Sequence, residues 1–198
     1  GDCLILQSMA DMHLHAPQYP MLGMGMDLPL LEWLEAYTFP MEANFSDLTY
    51  ARRVYRQLAQ ALIDHGTTRV AMFSSVHREA THVLMEELEA AGVTGFVGKV
   101  NMDRNCPEGL REATGESLAE TERWLEECDG RYCRLSPILT PRFTPSCSDE
   151  LLSGLGRLAE KKGLRVQSHL SENVSEGEWV RQLHPDCSRY WESYAKFG

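Results

Sequence analysis

Apolar residues recur along the chain in blocks whose period switches between two and about 3.6, and those switches predict alternating strands and helices. An apolar run over residues 3–9 (CLILQSM) leads into Asp11-Met12-His13-Leu14-His15, so the first strand should end on a histidine pair. Leu48, Ala51, Tyr55, Leu58, Ala61 and Leu62 follow at helical spacing, with Ser46 or Asp47 as the N-cap and Gly66 as the stop. Residues 68–73 are β-branched and apolar and predict a second strand. The helical pattern returns from Arg78 to Ala91 and ends at Gly92. Residues 96–100 predict a third strand, and Ser117 with Glu120 has the spacing of a capping box for a helix reaching about Cys128. Residues 135–139 predict a fourth strand, and Ser148 caps a helix to Lys161 with Gly163 just behind it. Residues 164–170 predict a fifth strand, followed by a short helix near 176–183.

Strand alternating with helix is the pattern of parallel βαβ units, an α/β fold. It closes either as a doubly wound sheet or as a (β/α)8 TIM barrel. A barrel needs about 250 residues, so five units in 198 residues make an incomplete one, about five of eight. Val70, Met72, Val97, Ile138 and Val166 are then expected on the inner face, without an opposing layer.

Composition narrows the function. Apolar residues make up 43% and charged residues 24%, the balance of an ordinary globular protein. A net charge of −10 argues against nucleic acid or an anionic membrane as a partner. No apolar run approaches a membrane span. Gly1-Asp2-Cys3 carries neither a basic stretch nor an initiator Met, and so reads as neither a signal peptide nor a natural start. The six cysteines are irregularly spaced with no C-x-x-C pair, which predicts reduced, mostly buried thiols and a cytosolic location.

The chemistry concentrates at the strand ends. In an extended segment His13 and His15 point to one face, and two converging imidazoles suit zinc. The alternative is two partly exposed histidines at a strand–loop junction. Gln167-Ser168-His169 ends the fifth predicted strand and Glu172 follows three residues later, as a ligand beside a proton-transfer group would. All strand C-termini of a parallel fold share one face, so His169 can join the pair; otherwise His169 makes a local hydrogen bond and Glu172 caps the next segment. His65 reads as a structural helix-end residue and His77 as a weaker site candidate. His82 and His184 read as surface residues. Gly23-x-Gly25 lacks the rest of a nucleotide loop, and Lys99 has no feature beside it that asks for a second metal ion.

Asp11-Met12-His13-Leu14-His15-Ala16-Pro17-Gln18-Tyr19 resembles the D-x-H-x-H-A-x-Q-Y segment of the guanine deaminases in the amidohydrolase superfamily. The stretches starting at Asp27, Tyr37, Gly98, Thr140 and Gln167 agree in order over nearly the whole chain. The resemblance implies hydrolysis of guanine to xanthine and ammonia on a barrel holding one zinc per chain. It places His13, His15 and His169 as ligands and Glu172 as the proton shuttle. It places Ala16, Pro17, Gln18, Arg142 and Phe143, with His15 and His169, around the substrate. It further implies a homodimeric, cytosolic parent and residues 1–198 as a partial barrel domain. The flanking β-sandwich, a later His and a later Asp would fall outside this sequence, as in a truncated form. Another ring substrate (cytosine, an aminotriazine) and an inactive isoform are the alternatives.

Overall fold

The computed structural model describes residues 3–198; Gly1 and Asp2, on which part of the N-terminal reading falls, lie outside the described residues. Six strands form: β1 (Met9–His15), β2 (Thr67–Phe73), β3 (Thr94–Gly98), β4 (Val100–Asn101), β5 (Leu135–Pro137) and β6 (Thr140–Pro141). β1, β2, β3 and β5 line up in that order as a parallel sheet, and β4 pairs with β6 beyond it. The helices are α1 (Leu30–Trp33), α2 (Phe39–Ala43), α3 (Leu48–Asp64), α4 (Arg78–Ala91), α5 (Thr114–Cys128), α6 (Asp149–Lys162), α7 (Val174–Leu183) and α8 (Glu192–Ala195). This is the first arc of a (β/α)8 TIM barrel, with helices on the outer face of a parallel sheet.

The starts and stops follow local chemistry. The Asp47 carboxylate accepts the N–H groups of Thr49 and Tyr50 and caps α3, and Ser148 caps α6 through Leu151 N–H. Gly92 and Gly163 end α4 and α6 in the left-handed conformation that favours glycine. Asn173 and Glu176 form a reciprocal capping box on α7. The expected box at Ser117 and Glu120 does not form, because α5 starts a turn earlier at Thr114. Ser117 is instead buried and donates to Glu112, while the Glu120 carboxylate pairs with Arg78 and Arg123.

The pleat runs opposite to the expected inner face. Val70, Met72 and Val97 are buried outward against Tyr55, Leu84, Leu88 and Trp124 of the helices. Ala71 and Phe73, paired with Phe96 and Gly98, therefore share the inner face with His15. Ile138 is buried and Val166 is 48% exposed. The N-terminal apolar run is also no strand: Leu4, Ile5 and Leu6 are exposed, since β2 offers partners only from Thr67, opposite Met9.

The two central strands break near their ends. Lys99 interrupts β3 from β4, its buried ammonium donating to both Glu112 carboxylate oxygens at 2.8 Å. Gly98 packs against the Ile138–Thr140 segment, where an added Cβ would lie 1.7 Å from Thr140 Oγ1. The fifth predicted strand contracts to one bridge, Leu139 to Val166. The break between β5 and β6 leaves it a short partner, and among the described residues no strand pairs its far side.

Two burial expectations are corrected. Only Cys128 and Cys147 are buried; Cys106 and Cys187 are half-buried, Cys3 and Cys133 exposed, and all are free. His82 and His184 are buried rather than at the surface, His82 because Tyr132 and Glu127 take its two ring nitrogens. No helix among the described residues is long and apolar enough to cross a membrane.

Candidate active site

β1 delivers His13 and His15 to the inner face at the sheet's C-terminal edge, and the segment after Val166 delivers His169 to the same point. One ligand atom from each of the three lies within 4.8 Å of the others. His15 Nε2 stands 2.9 Å from His169 Nε2, and the two rings stack with 4.9 Å between centroids. His15 also stacks on Phe73, at 4.4 Å.

The protonation pattern suits a metal. His169 Nδ1–H donates to the Arg142 carbonyl at 2.7 Å, which turns its Nε2 lone pair toward His15. His15 Nδ1 is buried without a hydrogen-bond partner. Burial holds His15 well below its ordinary pKa, with the Arg142 guanidinium adding to the effect. Burial also takes His169 down to about 4. Neutral imidazoles converging with free lone pairs are the donor set of an ion that prefers nitrogen, so the residues fit.

A cavity of about 560 Å³ opens on this cluster, walled by Gln18, Trp33, Leu34, Arg142, Phe143 and Glu172. Arg142 and Phe143 follow β6 directly. Arg142 is buried, its Nη1 donating to Glu42 Oε2 at 2.6 Å and its guanidinium lying over the Phe39 ring. Phe143 meets Trp179 edge-on. Ser171 takes a positive φ of 55°, and the turn brings Glu172 back to the cavity wall. Glu176 accepts the Glu172 N–H at 2.7 Å and fixes that turn. Partial burial and the Glu176 charge raise the Glu172 carboxyl above its ordinary range.

The other candidates fall as follows. Ala16 and Pro17 are buried at the start of a 3-10 helix (Ala16–Met21), whose Gln18 and Tyr19 reach the cavity. His65 Nδ1–H donates to the Ala61 carbonyl at 2.8 Å, yet the residue also lines the cavity. His77 occupies the N-cap position of α4 with no side-chain capping bond and does not line the cavity, and Lys99 is held by Glu112. Gly23 and Gly25 lie in a turn at positive φ.

Sequence reading passed over Glu42 and Tyr194. Glu42 was visible as a carboxylate inside an otherwise apolar stretch, Phe39-Pro40-Met41-Glu42. Tyr194 had no signal: its hydroxyl, 2.6 Å from the His169 carbonyl and 2.9 Å from Ser168 Oγ, arrives from a distant helix.

Histidines from the first and last segments of the parallel arc, with a carboxylate at the strand C-terminal mouth, form a donor set that fits a metal ion in a barrel mouth. Residues 4–197 match the amidohydrolase family, and the chain belongs to that family. It is 42% identical over 198 residues to a guanine deaminase of Dictyostelium discoideum, covering 100% of this chain and 44% of that relative. A crystal structure of guanine deaminase from C. acetobutylicum with bound guanine in the active site superposes with a TM-score of 0.95 at 48% identity, over 97% of this chain and 46% of that one. An atrazine chlorohydrolase mutant from Arthrobacter aurescens, complexed with zinc and atraton, shares the fold at a TM-score of 0.77 and 16% identity, over 98% of this chain and 46% of that one. The chain thus spans less than half the length of the relatives it matches.

Proposed function

We propose that the protein carrying these residues hydrolyses guanine to xanthine and ammonia, using one zinc ion held by His13, His15 and His169. The observation that supports it most is the meeting of that triad with Arg142, Phe143 and Glu172 in one cavity, in a chain 48% identical to a guanine-bound deaminase. Zinc supplies Lewis acidity toward the attacking water. Glu172, its carboxyl raised above the ordinary range by burial and by Glu176, takes a proton from that water and hands it to the ring as the amino-bearing carbon is attacked. Arg142 donates to the ring carbonyl, Phe143 packs on the ring face and Gln18 supplies a polar edge contact. The second proton of the water passes to the amino nitrogen, the C–N bond breaks as the new carbonyl forms, and water and guanine thus yield xanthine and ammonia with no further reactant.

In this reading residues 1–198 are part of a barrel domain whose β-sandwich and later strands lie outside the sequence, and the parent is a cytosolic homodimer. The test is xanthine formation by the purified full-length protein, before and after chelation and zinc readdition. Zinc-restored xanthine production supports the assignment. Faster turnover of cytosine or an aminotriazine than of guanine overturns the substrate.

A further inference from the structure

The Glu42–Arg142 pair joins positions 100 residues apart, and both side chains are almost wholly buried, at 0% and 3% exposure. α2 brings two residues to the guanidinium: the Phe39 ring lies beneath it at 5.2 Å, and Glu42, three residues on, takes Nη1. Among the described residues Glu42 is the one acid paired with Arg142. The guanidinium is planar, so fixing one Nη fixes the direction of the remaining N–H groups. Those groups belong to a residue that lines the cavity beside Phe143.

We infer that Glu42 is a positioning residue for substrate recognition: it aims the Arg142 fork at the ring carbonyl and thereby sets the preference for an oxo-substituted purine. Glu42 does not line the cavity, so it acts wholly through Arg142. A carboxylate partner also neutralises the buried cation, leaving a directional donor where a bare charge would attract any anion. This inference rests on the proposed guanine reading.

The experiment compares guanine with 2-aminopurine, which keeps the amino group that leaves but lacks the carbonyl. Steady-state constants are measured for the full-length wild type, Glu42→Gln and Glu42→Asp. In Glu42→Gln the KM for guanine should rise about ten- to hundredfold, the fold-change of one charge-assisted hydrogen bond. KM for 2-aminopurine should stay within about twofold of wild type on the same grounds, so the preference for guanine collapses. Glu42→Asp should recover part of that preference, because the charge remains on a shorter arm. Should Glu42→Gln fail to fold, the preference measured in Glu42→Asp decides alone: a drop supports the inference and an unchanged ratio overturns it. Equal losses on both purines mean Glu42 only holds the fold, and also overturn it. Wild type inactive on both purines would instead refute the functional reading itself.

Discussion

His15 and His169 meet Nε2 to Nε2, so removing either imidazole deletes one of three converging donors. His15→Ala should lose most of the roughly one zinc per chain expected of a three-histidine site. His184→Ala should keep it, since His184 is buried at the end of α7 outside the triad. Elemental analysis after dialysis decides, and equal zinc in the two variants overturns the ligand set. Glu172→Gln should retain zinc while turnover falls by about 10²-fold or more; zinc lost along with activity would make Glu172 a ligand. The pH dependence comes from elsewhere. Burial lowers His82 and His184 below the ordinary 6.5, so each gains a proton more readily when unfolded than when folded. Stability from these groups is present above about pH 6.5 and declines as pH falls through the window beneath it. Denaturant midpoints should drop from pH 7 to pH 5, and less so in His82→Gln. A flat profile would contradict the assigned burial effect.

At the scale of elements, close approach at the strand ends sets the sharpest constraint. Gly98→Ala should destabilise by about 1–3 kcal/mol or more, because the new methyl meets Thr140 and the Ile138 carbonyl. Gly177→Ala, inside α7 with nothing within 4 Å of the new atom, should stabilise by about 0.5–1 kcal/mol. Thermal melts of the two variants should therefore shift in opposite directions, and shifts of one sign would refute the packing argument. The helices were legible because their signals are local: α4 runs over the residues its apolar period marks, and Asp47 and Ser148 cap where their side chains reach free N–H groups, whereas Asn173, not read as a cap, starts α7 at Val174, ahead of the expected 176. Strand faces were less legible, since Val70 and Met72 are apolar whichever way the pleat turns. Ser117 misled because a buried partner, Glu112, won its hydroxyl from the helix end. The histidine triad was readable from strand-end placement alone. Glu42 was not, because its meaning depends on a guanidinium 100 residues away.

At the scale of the whole molecule, among the described residues no strand pairs the outer side of β1 or the segment beyond Val166, so the parallel arc has an open edge at each end. Leu4, Ile5 and Leu6 stand exposed near the first, and Val166 with Trp191 near the second. A polypeptide limited to these 198 residues should self-associate through such edges. Sedimentation at micromolar concentrations tests this, and a monodisperse monomer would show the edges to be protected. The triad also has an architectural side. His13 and His15 sit on the strand at one end of the arc, and His169 follows the segment at the other, 154 residues after His15. An ion gripping all three would work as a clasp on a hoop, tying together the sheet's extremities as a cross-link over a long loop does. Metal supply would then govern how tightly the arc holds its curvature, and metal starvation would first loosen the end strands, ahead of the helical shell around them.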